Sequence, residues 1–175
     1  MGKVTLYVCV VSSLMLLLPG CGGGSGNAVP LPILPMNTAI VLSSILAPGL
    51  TKTSVPIKGI DVAFVLPASA TPVLNSDGTL MIGETGLKNL NINGSIPSGS
   101  YDPATRGVHF ILLPNNVATT DLGIGDIVRL TCHISSGAQL SAQEIHPVYK
   151  VSGPGSIDIS GEIMPSVSIV TYQKP

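Results

Sequence analysis

An all-β fold, a sandwich or a barrel, is what this sequence predicts, and three observations lead there. The first is composition. Only 10% of the 175 residues are charged, while there are 20 Gly and 15 Pro, and Val, Ile and Thr recur where a helical protein would carry runs of Ala, Leu, Glu and Lys. β-branched residues suit a pleated, half-buried surface, and Gly, Pro and Asn set turns. The second is period. Within residues 126–134, the run from Val128 alternates strictly, with Val128, Leu130, Cys132 and Ile134 in one phase and Arg129, Thr131 and His133 in the other. Side chains of a strand point to opposite faces in turn, so this is a half-buried strand. The third is spacing. Turn signals recur at roughly 8–12 residues, as they do between the short strands of sandwiches and barrels.

The elements follow in order. Ala39–Leu46 is an opening strand closed by Pro48-Gly49. Ile57–Leu66 places Ile60, Val62, Phe64 and Leu66 on one face, Asp61, Ala63 and Val65 on the other, and stops at Pro67, because proline cannot donate to a ladder. Thr71–Leu74 and Thr79–Gly83 flank Asn75-Ser76-Asp77-Gly78, a hairpin turn by its residues. Leu87–Asn93 and Ser98–Asp102 are short strands, the latter leading to a turn at residues 103–107. Val108–Leu113 directs Val108, Phe110 and Leu112 inward, and a long loop from Pro114 to Gly125 leads to residues 126–134. Ile145–Val151, Ile157–Ile163 and Val167–Tyr172 close the domain, and Ser141–Glu144 is read as a loop.

The N-terminus is of another kind. Lys3 is followed by an apolar run from Val4 to Leu18. A basic start before an apolar stretch of roughly 15 residues, short of the ~20 a spanning helix needs, is a signal peptide pattern. Leu18-Pro19-Gly20-Cys21 resembles the lipobox of bacterial lipoproteins. The resemblance implies cleavage after residue 20, diacylglycerol on the Cys21 thiol and acylation of its new amine. Each buried CH₂ adds about 0.8 kcal/mol of membrane affinity, so several chains anchor far better than one. Residues 21–37 form a Gly-rich and then Pro-rich tether, with Pro30, Pro32 and Pro35 excluding a helix. Gly22 beside the lipidated residue favours, by resemblance to Gram-negative lipoproteins, the outer membrane or cell surface. The folded domain is expected over residues 38–175.

Charge and chemistry narrow the function classes. Eight Lys and Arg, of which Lys3 leaves with the signal, stand against nine Asp and Glu. No basic patch interleaved with aromatics points to nucleic acid. Of three cysteines, Cys9 leaves with the signal and Cys21 is lipidated. Cys132 remains on the apolar phase of its strand, as a small buried hydrophobe. No nucleophile elbow, zinc-protease helix or phosphate loop occurs, and a non-enzyme is expected. His109 and His133 share the outward phase of two strands expected to be neighbours; as metal ligands they lack a third partner. Asp102, Asp121 and Asp126 flank loops and could offer oxygens to Ca²⁺, but no calcium-loop spacing is present. No cofactor is expected. Trp is absent and Tyr101, Tyr149 and Tyr172 are the only tyrosines after the signal, which weakens a stacking platform for sugars. An Asn-rich face of Asn89, Asn91 and Asn93 could hydrogen-bond saccharide instead.

Three stretches carry a family resemblance. Residues 57–67 match a Gly–apolar–polar–apolar strand, residues 107–113 a late strand before a long loop, and residues 123–134 a Gly-rich turn running into a core strand. Together the domain resembles the cohesin-like domains, of the superfamily shared with cellulose-binding modules. The resemblance implies a jelly-roll β-sandwich of about nine strands and a binding role. The expected function is a lipid-anchored, non-enzymatic binding module for protein–protein interaction or scaffolding in the cell envelope. Polysaccharide binding is the alternative, and a structural envelope role the second. The candidate binding face comprises His109, Ile111, Arg129, Thr131 and His133.

Overall fold

A computed structural model describes residues 36–173. The signal peptide, Cys21 and the tether up to residue 35 lie outside the described residues. Those described form nine strands, all antiparallel, in two sheets. The strands are β1 Met36–Leu46, β2 Gly59–Val65, β3 Ala70–Pro72, β4 Leu87–Asn89, β5 Gly94–Asp102, β6 Gly107–Pro114, β7 Gly125–Ile134, β8 Val148–Ser152 and β9 Ile163–Gln173. One sheet runs β5-β6-β2-β8. The other runs β3-β7-β1-β9, with β4 also paired to β7. The chain changes sheet at almost every connection, which makes the sandwich a jelly roll. Met36 and Asn37, placed by sequence in the tether, already belong to β1, paired to Gln173 and Tyr172.

The inner faces follow the predicted alternation. Ile60, Val62 and Phe64 of β2, Val108, Phe110 and Leu112 of β6, and Tyr149 and Val151 of β8 are buried. From the other sheet come Ile40 and Leu42 of β1, Leu87 of β4 and Val128, Leu130 and Cys132 of β7. All join one apolar core. Burial pushes the Cys132 thiol up to about 12, so it stays protonated and unreactive at neutral pH. Burial also raises the Tyr149 phenol, whose hydroxyl donates to the Ser43 carbonyl at 3.2 Å.

One connection decides which faces meet. After β6 the loop folds back on itself: the Asn116 carbonyl accepts from Thr120 N–H and Oγ1. Lys58 Nζ then clamps it, donating to the carbonyls of Val117 and Thr120 at 2.8 and 2.9 Å and pairing with Asp121 Oδ1 at 2.8 Å. Leu122 is buried and bridges to Ile57. The chain therefore enters β7 on the far sheet. Strands β6 and β7, consecutive in sequence, share no hydrogen bonds: β6 pairs with β2 and β5, and β7 with β1, β3 and β4.

Three departures from the sequence-based elements have local causes. Ile157–Ile163 is not a strand. A 3-10 turn at Pro154–Ser156 precedes it and a second, Ser160–Glu162, lies within it, where Asp158 Oδ1 takes the amide and hydroxyl of Ser160; Ile163 already opens β9. Those turns satisfy the backbone that a ladder would have used. Residues 142–144 form a third 3-10 turn, closed by a capping box between Ser141 and Glu144. The Asn75–Gly78 turn forms, with Gly78 at φ 83° and its amide on the Asn75 carbonyl. Its flanks, however, meet at the single bridge Leu74–Leu80 rather than as a ladder.

Leu130, fully buried, sits at the centre of β7 against β1 and β4. Leu130→Ala is expected to cost about 2–5 kcal/mol, as buried leucine truncations do. Lys150→Ala, on an exposed position of β8, is expected to stay within about 0.5 kcal/mol. Urea unfolding of both variants checks the phase of the sheets.

Candidate functional site

The outer face of the four-stranded sheet is a regular grid. Pairing places Ser98, Ile111, Asp61 and Lys150 in one row across β5, β6, β2 and β8. The next row is Ser100, His109, Ala63 and Val148, and a third holds Asp102, Gly107 and Val65. At about 4.8 Å per strand the four strands present roughly 15 Å of flat width. The β2–β8 side of the grid is apolar and open: Val65 is 52% and Val148 61% exposed, with Ala63 exposed beside both. Diagonally across β2 and β6, His109 Nε2 meets Asp61 Oδ1 at 2.7 Å. Both side chains stay near half exposed, so the pair orients the imidazole without hiding it.

A shallow depression of about 630 Å³ lies over this grid. Tyr101 and Asp102 border it from β5, and Glu144 and His146 reach it from the capped 3-10 turn and the segment after it. Asp102 is held by the Thr105 hydroxyl and the Ala104 amide, which keep its carboxyl below the usual carboxylate range. The face thus combines an exposed apolar patch with an ionised Asp102 at its border.

The five residues chosen from sequence do not share a face. His109 and Ile111 lie on the grid just described. Arg129, Thr131 and His133 lie on β7, in the other sheet. The expectation that His109 and His133 stand on neighbouring strands is corrected by the β6–β7 crossing: their strands belong to different sheets. Among the described residues no group of three His, Cys, Asp or Glu side chains gathers as metal ligands. Of the loop acids, Asp121 is taken by Lys58 and Asp126 by the Ser43 hydroxyl at 2.6 Å. The Asn-rich face is also corrected. Asn89 and Asn91 donate to the carbonyls of Asn91 and Gly123, and Asn93 to that of Asp121. These amides clamp the 90–94 turn to the loop before β7 instead of facing a sugar.

The outer face of the five-stranded sheet is covered, not flat. Ala39, Val41 and Thr131 point outward by phase yet are buried, Thr131 to 3%. The cause is local. Tyr172 lies over them with its hydroxyl 3.0 Å from Thr131 Oγ1, and the Arg129 guanidinium stacks 5.1 Å from the Tyr172 ring centre. A second cover comes from an excursion of the chain. The Val73 amide donates to the Thr131 carbonyl, and the Thr131 amide donates to Gly86. Between these two points the chain leaves the edge of β7 and carries Met81, Glu84 and Thr85 to the rim of a cleft of about 760 Å³. The return needs glycine at 86, where a Cβ would stand 2.1 Å from the Met81 carbonyl oxygen.

No family model matches the chain. No curated protein and no solved structure matches it significantly.

Sequence reasoning missed Val65, Val148, Asp61 and His146 as members of a face. The outward phase of β2 was visible, but only pairing brings β2, β6 and β8 side by side. His146 carries no periodic signal, because it follows a turn.

Proposed function

We propose that this chain is a lipid-anchored, non-enzymatic binding module of cohesin-like kind, which engages a protein partner through the outer face of the four-stranded sheet. The observation that carries the reading is the open valine pair, Val65 and Val148, which with Ala63 forms an exposed apolar patch at the β2–β8 side of a flat, hydrogen-bonded grid. Exposed aliphatics beside the hydrogen-bonded His109–Asp61 pair and the Asp102 carboxylate give the mix of apolar and polar surface from which protein interfaces are built. The grid is backbone-rigid, so little ordering entropy opposes docking. A saccharide would find little ring surface to stack on here: of the Phe and Tyr side chains lining the depression, Phe64 is buried in the core and Tyr101 at the edge is half-buried. The Cys21 lipid and the tether would hold the face outside the inner membrane and let it search for its partner.

Two experiments test the parts separately. Cys21→Ser should abolish palmitate incorporation and leave the chain at precursor length. Label that persists in this variant refutes the anchor. For the face, the full chain is immobilised and exposed to solubilised envelope proteins and to insoluble polysaccharides. Val65→Asp with Val148→Asp should reduce retention of the bound protein at least about tenfold, since charge is then buried within the apolar part of the interface. Arg129→Glu on the opposite face should leave it unchanged. Retention indifferent to the two aspartates, or retention of polysaccharide with no protein, contradicts the proposal.

A further inference from the structure

The cleft on the five-stranded sheet lies across the sandwich from that face and plays no part in the reading above. Its volume of about 760 Å³ falls in the roughly 300–1,000 Å³ range of small-molecule sites. Its lining is unbalanced toward donors. Arg129 lines it with a quarter of its side chain exposed, and its Nε–H is buried with no acceptor. One Nη2 bond, 3.1 Å long, goes to the Glu84 carbonyl. The Glu84 carboxylate does little for the guanidinium: it sits 2.8 Å from Lys88 Nζ but 3.8 Å from Arg129 Nη2. The Thr85 hydroxyl donates to the Met81 thioether, a weak acceptor. Asn37 and His133 line the same cleft and add N–H groups in any tautomer.

We infer that this cleft binds a carboxylate-bearing sugar unit, a uronate, with Arg129 as the anchor of the carboxylate. Among the described residues the guanidinium makes one hydrogen bond, from Nη2, and its exposed Nη edge is the part a carboxylate in the cleft can meet. The stack on Tyr172 holds the guanidinium plane in place before the ligand arrives. Asn37, Thr85 and His133 offer the directional polar contacts that sugar hydroxyls require. The cleft is open to solvent, so the uronate could be a free sugar acid or one residue of an acidic polysaccharide.

The test is calorimetric titration of the detergent-solubilised full chain with galacturonate, trigalacturonate, galactose and acetate. Galacturonate is expected to bind saturably and at least about tenfold more tightly than galactose or acetate, the size of effect one charge-assisted pair supplies. Arg129→Gln should lower that affinity at least about tenfold. Glu84→Gln, at the exposed rim, should raise it by removing the competing carboxylate. Trigalacturonate binding more tightly than the monomer assigns the site to a polymer, and equal affinities assign it to a free sugar acid. Equal binding of galactose, equal binding of acetate, or no saturable binding overturns the inference. So does wild-type affinity in an Arg129→Gln variant whose unfolding midpoint is unchanged. Should Arg129→Gln fail to fold, unchanged or weaker binding by Glu84→Gln overturns it instead.

Discussion

The burial of two aliphatic sheet faces against one another governs this molecule. The core holds two phenylalanines, Phe64 and Phe110, and no tryptophan, so it is filled by Ile, Leu and Val from both sheets. Aliphatic burial contributes roughly 25 cal/mol per Å², and it is realised only if every strand keeps its phase. A slip of one residue would exchange the inner and outer sets of an entire strand. The crossing between β6 and β7 satisfies this constraint for the two most regularly alternating strands. By sending β7 to the far sheet, the Lys58-clamped loop lets Phe110 and Leu130 enter the core from opposite sides.

The same crossing divides the surface. Outward residues of β6 and β7 end on opposite sides of the sandwich, and the two sides differ in kind. One is an open grid with exposed valines and an ordered His109–Asp61 pair. The other is roofed by Tyr172, Arg129 and the excursion through Met81 and Glu84, leaving a donor-rich cleft. A flat face with an exposed apolar patch suits a macromolecular surface, and a deeper cleft edged by polar side chains suits a small ligand. That difference arises from one sequence detail. The connection from β3 to β4 leaves the edge of β7 and returns to it at Gly86, whereas over β2 and β6 Glu144 and His146 reach the border of the depression from the segment before β8.

Much of the fold was legible because period two is a strong signal where one face is buried. The alternation of Ile60, Val62 and Phe64, and of Val128, Leu130 and Cys132, fixed strand existence and the inner face. Strand length and spacing led to a sandwich or a barrel, and the choice of two sheets came only with the resemblance to cohesin-like domains. Ile157–Ile163 was misread because its apolar residues also alternate, while Asp158 and Ser160 divert the backbone into turns. Pairing was not legible. Nothing in residues 114–125 announces a crossing, since its cause is Lys58, distant in sequence. The candidate site suffered most. His109 and Ile111 were recognised as outward, but their neighbours Val65 and Val148 come from strands whose adjacency depends on the whole topology. Thr131 was assigned to the surface correctly by phase, yet Tyr172, forty-one residues away, buries it. The asparagines at 89, 91 and 93 looked like a polar face because their backbone acceptors lie two to thirty-two residues off.

The division of β6 from β7 can be measured directly. Spin labels at positions 109 and 133 are introduced into a chain whose Cys9 and Cys21 are serine. Cys132 stays unlabelled because its buried thiol is held protonated. Pulsed dipolar spectroscopy should then report a separation of the sheet spacing, about 10 Å, extended by the outward reach of both labels. Strong short-range broadening, as from residues about 5 Å apart on adjacent strands, would place His109 and His133 on one face and contradict the account.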